Sequence, residues 1–321
     1  MWALAVTLWR SGEKSRPCGM SFDPQFARDT VLPLVQAAYQ VFHNPDVDPS
    51  LPGGYQKTAL LEADPTLLDL MTDLSENARS FVQAVAGITT VFGLVGKNTA
   101  TKTAFVAIRG TQTPAEWLHN LDVDTTRYRP VPDFGDVHMG WMGLYETMRA
   151  NLAANLPAAC AGCDQLIVTG HSLGAALAVL AAPDIAKNMP VVPEPKLTTF
   201  GGPRPGLHDF VVPFNLLIDS CFRVVNLFDI VPHLPLALPG LPYEHVGVQI
   251  AIDSGGSIDQ THRHSSRRLG SARSRSRPAT RPPASCVMSA FRVRRRSPAS
   301  RAAGPGCRAP SRRRAARWPH R

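Results

Sequence analysis

In Gly170-His171-Ser172-Leu173-Gly174 a serine stands two places from a glycine on either side. Before it run Leu166, Ile167 and Val168, which suit a buried strand, and after it Ala175 to Ala182 contains no polar residue, as a buried helix requires. Strand, tight turn and helix in that order put a hydroxyl on a sharp bend. Such a bend needs residues without side chains, because the backbone is strained there and the helix packs closely on the strand. The other reading is a glycine turn kept for packing; a phosphate loop is disfavoured because no Gly-Lys-Ser or Gly-Lys-Thr follows.

A serine hydroxyl is a poor nucleophile until a base takes its proton, and the base, normally His, needs a carboxylate to fix its tautomer and stabilise the imidazolium. In sheet-based hydrolases the chain order is Ser, then Asp or Glu, then His. Asp229 fits the second place, just past the expected strand Phe222 to Leu227; Asp209 and Asp219 lie in the segment between strands. An Asp before Ile-Val-Pro also suits a turn cap. Five histidines follow: His233, His245, His262, His264 and His320. His233 is too close to Asp229, His245 reads as a strand residue beside the site, and His320 ends a polycation. His264 is therefore the expected base and His262 the second choice. A tetrahedral oxyanion needs two donors: the Leu173 amide at a helix N-terminus is one, and Thr111, at the end of an earlier strand, is the other. His138 reads as a histidine satisfied by local hydrogen bonds.

The elements that must position these groups are legible in outline. Phe22 to His43 has apolar residues at helical spacing and reads as an amphipathic helix kinked at Pro33. Asn44 to Tyr55 reads as loop, and Leu60 to Val85 carries mixed helical signals. Thr89 to Lys97 and Thr101 to Ile108 read as a hairpin whose second arm is buried and ends in Arg109-Gly110-Thr111. Pro114 to Arg127 reads either as a mobile flap or as a surface helix. A helix is expected over Gly143 to Leu156, and strands over Lys196 to Gly202 and Phe222 to Leu227. Strands separated by helices imply an α/β fold with a largely parallel sheet covered on both faces.

With 44% apolar residues among 321, the chain can bury a sizeable core. Its formal charge of +9 averages two unlike parts. From Ser266 onward there are 17 of the 34 basic residues, all Arg, and no Asp or Glu, so the remainder holds 17 basic against 25 acidic residues, a net of −8. This tail, 266–321, lacks apolar periodicity and is expected to be disordered. An abrupt Arg/Ser/Pro/Ala composition is what a high-GC gene gives when read out of frame, so a frameshift product is one reading. The other is a genuine polybasic segment that attracts the chain to anionic membrane or nucleic acid. An arginine-only patch with one Trp and one Phe has no nucleic-acid motif, so no specific nucleic-acid partner is expected. Residues 1–19 read as a leader or a misassigned start, and no apolar run reaches the roughly 18 residues of a membrane helix. Compartment stays open. Cys160-Ala-Gly-Cys163 precedes a strand and has no second Cys/His pair at zinc spacing, so it reads as a loop with incidental thiols or a local disulfide, and no metal site is expected.

Six blocks resemble the class 3, or fungal-type, lipases: Ala107 to Trp117, Val137 to Trp141, Val168 to Ala178, Thr198 to Gly206, Phe222 to Pro235 and Tyr243 to Gly247. The resemblance covers about Phe22 to Ser265 and implies an α/β-hydrolase domain over residues 20–265. It further implies cofactor-free hydrolysis of carboxylic esters such as acylglycerols, and contact with a lipid surface. It places the nucleophile at Ser172, the acid at Asp229 and the oxyanion donors at Thr111 and Leu173, with Trp117 in a lid and Trp141 on the wall near the acyl site. The chain departs from the family after His264-Ser265, where Ser-Arg-Arg-Leu-Gly replaces the expected closing helix. If that end is impaired, the alternative is a catalytically weak hydrolase scaffold whose polybasic tail does the binding. Short soluble esters and long-chain lipids both remain open as substrates.

Overall fold

Thr103–Ile108 is buried along its whole length, and its alternation sets the layers of the molecule. Ala104, Val106 and Ile108 enter one hydrophobic core while Phe105 and Ala107 enter a second on the opposite face. The structure is a computed structural model that describes residues 21–87, 90–111, 123–236 and 240–253. Its strands are β1 Tyr55–Glu62, β2 Val91–Asn98, β3 Thr103–Ile108, β4 Thr125–Arg127, β5 Asp136–His138, β6 Gln165–His171, β7 Pro195–Phe200, β8 Cys221–Asn226 and β9 Val248–Ile252. Seven form one sheet in the order β1-β2-β3-β6-β7-β8-β9, and β4 and β5 make a separate antiparallel pair. The first two pairings of the sheet are antiparallel; every pairing from β3 to β9 is parallel.

Parallel strands need crossover segments, and the helices supply them. The helices are α1 Pro24–Phe26, α2 Leu32–His43, α3 Glu76–Ala86, α4 Met139–Cys160, α5 Leu173–Asn188 and α6 His208–Leu217. Leu34, Val35, Ala38 and Val41 of α2 pack into the core that holds Phe105 and Ala107. Residues of α3, α4, α5 and α6 share the other core with Val106 and Ile108. The expected kink at Pro33 takes the form of a π turn, Ala27–Val31, in which the Leu32 amide donates five residues back to the Ala27 carbonyl. Proline has no N–H to give the carbonyl four residues earlier, so the turn widens at that point.

The hairpin of β2 and β3 is present, and Asn98 Oδ1 closes it by accepting from the Ala100 and Thr101 amides at 3.0 and 3.1 Å. One strand departs from expectation: Tyr55–Glu62 is extended, although the sequence places Tyr55 at the end of a loop and Leu60 onward among mixed helical signals. Its Ala59-Leu60-Leu61-Glu62 are good helix formers, and only pairing with β2 draws them into the sheet. Thr125–Arg127, the end of the flap segment, is strand β4; residues 112–122, with Trp117, lie outside the described residues, as do residues 1–20 and 254–321 with the leader and tail. Cys160 and Cys163 are both free thiols, and burial pushes the Cys160 thiol up to about 12, far from a reactive thiolate. No helix among the described residues is long and apolar enough to cross a membrane.

The helix after the serine is anchored by a buried carboxylate. Asp184 has no exposed surface and accepts from Tyr145 Oη at 2.7 Å, Arg149 Nε and Nη2 at 2.7 and 3.0 Å, and Asn188 Nδ2 at 2.6 Å. Burial holds the Tyr145 phenol well above its usual range, so it stays a donor. Asp184→Ala strands these donors and should lower the unfolding free energy by about 3 kcal/mol. Arg149→Ala, on the half-exposed side of the pair, should cost about 1 kcal/mol by urea denaturation.

Candidate functional site

Four parallel strands end at one edge of the sheet, and each is followed there by a segment named in the sequence. The register pairs Ile108 with Gly170, His171 with Phe200, Phe200 with Val224 and Asn226 with Ile252. The turns after β3, β6, β7 and β8 therefore open side by side at the carboxyl edge, where open α/β sheets gather functional groups. The chain also leaves β9 at this edge, on its way to His262 and His264, which lie outside the described residues.

Ser172 sits between β6 and α5 with φ 56° and ψ −127°, a conformation strained for any residue with a Cβ. Its amide donates to the Phe200 carbonyl at 3.0 Å, which ties the bend to β7. The glycines on either side are required by contact. A Cβ on Gly170 would overlap the Gly174 carbonyl, and one on Gly174 would overlap the carbonyl oxygens of Ile108 and Arg109. The helix start thus lies against the end of β3. Ser172 is fully buried, and its Oγ has no hydrogen-bond partner among the described residues. Leu173 is the first residue of α5, so its amide belongs to the helix end that lacks intrahelical acceptors and carries the positive end of the dipole.

The loop after β3 reaches the same point. A Cβ on Gly110 would come within 2.7 Å of the His171 carbonyl, 2.8 Å of Ser172 Cβ and 2.8 Å of Tyr39 Oη. Gly110 is thus wedged against the serine turn, and Thr111 follows directly. The Thr111 hydroxyl is buried and, like the Ser172 hydroxyl, finds no partner among the described residues. Two unpaired hydroxyls in one small region are costly unless something else uses them.

Asp229 lies just past β8 and is 2% exposed. Its amide donates to the Asn226 carbonyl at 3.0 Å, and its Oδ1 accepts from the Val231 amide at 3.0 Å. The turn-capping role is therefore real, and it takes one of the two carboxylate oxygens. Arg204 holds the following loop: its amide donates to the Leu234 carbonyl at 2.7 Å, and Nη1 donates to His233 O at 2.8 Å and Pro235 O at 2.7 Å. His245 braces the same loop, its Nε2 donating to Pro232 O at 2.7 Å. His245 is not in a strand, as the sequence suggested; the strand starts at Val248, and the Tyr243–Gly247 stretch has only a bridge between Gly206 and Glu244.

His138 behaves as the local reading expected. It caps α4, Nδ1 accepts from the Trp141 amide at 3.3 Å, and its ring stacks on Trp141 with centroids 4.1 Å apart. Trp141 is fully buried, and its indole Nε1 finds no partner among the described residues. Sequence reasoning passed over Tyr39 and gave no role to Arg109 or Arg204. No local signal singles out Tyr39, because α2 also carries Phe42 and its apolar positions read as core. No group of three or more His, Cys, Asp or Glu that could hold a metal occurs among the described residues.

A mostly parallel sheet covered on both faces, with a serine on a strained turn between the middle strand and its helix, is the α/β-hydrolase fold. The structure of Rhizomucor miehei triacylglyceride lipase shares it, with a TM-score of 0.57 at 22% identity over 71% of this chain and 79% of that one. Residues 105–238 match the family model Lipase (class 3). The chain is 31% identical over 195 residues to the Secreted mono- and diacylglycerol lipase 1 of Fusarium solani, covering 59% of this chain and 56% of that protein. It is 32% identical over 178 residues to Phospholipase A1-II 1 of Oryza sativa subsp. indica, covering 47% and 43%. The chain spans about half the length of these curated relatives.

Burial, helped by the cations Arg223 and Arg204 and the nearby His233 and opposed by the bond to Pro232 O, lowers the His245 pKa to about 3. Between pH 6.5 and about 3 the unfolded chain binds this proton and the folded one does not. Stability due to His245 is therefore complete above pH 6.5 and falls as pH drops, at up to about 1.4 kcal/mol per unit. His245→Gln keeps a donor for Pro232 but does not titrate. In urea unfolding at pH 7, 5.5 and 4, the wild-type advantage over this variant should shrink steadily as the pH falls.

Proposed function

We propose that the chain is a serine esterase or lipase that cleaves carboxylic esters of the acylglycerol type through an acyl-enzyme on Ser172. The observation that carries this reading is the buried, unpartnered Ser172 hydroxyl on a strained turn, with the Gly110-Thr111 loop pressed against it. His264 takes the proton from Ser172 Oγ as Oγ attacks the ester carbonyl, and Asp229 orients and stabilises the resulting imidazolium. The oxyanion is received by the amides of Leu173 and Thr111, each worth about 3 kcal/mol in the transition state. The tetrahedral intermediate collapses, His264 returns the proton to the departing alcohol, and water then cleaves the acyl-serine by the same steps in reverse. His264 stands twelve residues past Ile252. That length spans up to about 40 Å when extended, so the chain leaving β9 can reach Ser172.

A lipid substrate class is supported by the relatives, whose names specify mono- and diacylglycerol and phospholipid. It is also supported by Leu227, Phe228, Ile230 and Leu236, which flank Asp229 with 49%, 46%, 52% and 58% of their surface exposed. Apolar side chains around the mouth of a site suit peripheral contact with a lipid surface.

A fluorophosphonate probe should label Ser172 in a one-to-one ratio, and Ser172→Ala should lose both labelling and p-nitrophenyl ester turnover, the latter by about 10⁴-fold or more. His264→Ala should abolish labelling and His262→Ala should preserve it. Full turnover by Ser172→Ala would overturn the reading, and the reverse pattern for the two histidines would move the base to His262.

A further inference from the structure

We infer that Tyr39 and Arg109 are the residues that orient the oxyanion donor, holding the peptide that ends in the Thr111 amide against the nucleophile turn. The inference deepens the ester-hydrolase reading above and rests on it.

Gly110 is gripped on both of its polar atoms. Its amide donates to Tyr39 Oη at 3.0 Å, and its carbonyl accepts from Arg109 Nη1 at 2.8 Å. The Gly110 carbonyl and the Thr111 amide belong to the same planar trans peptide, so their bonds point in opposite directions. Fixing the carbonyl toward Arg109 therefore fixes where the Thr111 N–H points. Tyr39 adds the second coordinate. The same hydroxyl that accepts from Gly110 pairs with His171 Nδ1 at 2.8 Å, and His171 is the residue before Ser172. One phenol thus joins the residue before the donor to the residue before the nucleophile, and sets the spacing between the two.

Both grips are themselves rigid. Arg109 Nε donates to the Val91 carbonyl at 3.1 Å, and its guanidinium carbon lies 4.0 Å from the Phe42 ring centroid and 4.5 Å from that of Phe92. Tyr39 and Phe42 lie one turn apart on α2, so this helix braces both the phenol and the guanidinium. Arg109 is 3% exposed and has no carboxylate partner among the described residues. A buried guanidinium spent on backbone carbonyls next to a site is an expensive choice for packing alone. It is an effective way to aim one peptide, because an oxyanion donor must lie within about 2.7–3.1 Å of the charge it stabilises. A misplacement of the order of 1 Å can cost a hundredfold in rate.

Tyr39→Phe removes the hydroxyl and keeps the ring; Arg109→Lys keeps the charge and loses the planar fork. The test measures kcat and KM for p-nitrophenyl butyrate, the Ki of butylboronic acid, which forms a tetrahedral adduct on the serine, and thermal unfolding, all on the full chain. Assays are run well below the unfolding transition of each variant. Each substitution should lower kcat about ten- to a hundredfold and weaken the boronate by a similar factor, with KM within about twofold, because the donor engages only the tetrahedral state. A purely structural role would lower the melting temperature and leave kcat and the boronate Ki at wild-type values, and that result overturns the inference. If Arg109→Lys does not fold, Tyr39→Phe decides alone. Fluorophosphonate labelling of the wild-type chain separates the two levels. A labelled, active wild type with unimpaired variants removes only the positioning role, whereas an unlabelled wild type removes the hydrolase reading and this inference with it.

Discussion

The site depends on one close approach: the first turn of α5 lies against the last carbonyls of β3. Gly174 permits it from the helix side and Gly170 from the strand side, since a Cβ at either would overlap backbone oxygen. That contact forces Ser172 into a positive φ, because the chain must leave β6 and enter the helix within a single residue. The strain, of the order of 1–3 kcal/mol, is held by the apolar first turns of the helix behind it and by the Asp184 network that fixes the helix to α4.

Parallel pairing then does the gathering. Once β3, β6, β7, β8 and β9 run the same way, their carboxyl ends share an edge, and segments far apart in the chain are delivered to it. Thr111 arrives by β3, Ser172 by β6 and Asp229 by β8. β7 lies between the strands that deliver Ser172 and Asp229.

How much of this the residues disclosed depends on whether the constraint is local. The serine turn was legible because glycine, strand and helix requirements fall within one short stretch, and β3 because six consecutive residues are buried on both faces. Asp229 was legible from its place after a strand. β1 was not, because Tyr55–Glu62 has helix-forming residues and owes its extension to β2 alone. Nor was the function of Tyr39 legible: its partners are 71 and 132 residues away, and nothing in its neighbourhood on α2 distinguishes a phenol that reaches the site from one that fills a core. The strand expected at His245 failed for a similar reason. That stretch is shaped by the carbonyl of Pro232 and by a bridge to Gly206, both long-range.

Loops at the ends of strands share a problem: their carbonyls have left the ladder yet remain partly buried. This chain solves it repeatedly with arginine. Arg109 serves Val91 and Gly110, Arg204 serves His233 and Pro235, Arg223 serves Val246, and away from the site Arg79 serves Leu68 and Met71. A guanidinium suits the task because its donors form a rigid planar fork that can span two carbonyls, which a lysine ammonium cannot match in geometry. The choice has an electrostatic consequence. Burial pulls Arg109 and Arg223 down to about 10, still far above neutral pH, so both remain charged beside the site. Burial first, and then the positive charge of Arg223 and Arg204, keeps His245 neutral. A buried carboxylate at Asp229 is what can offset that charge locally for an imidazolium formed during turnover. On the hydrolase reading proposed above, Asp229 would both orient its histidine and counter the cations that hold the loops in place.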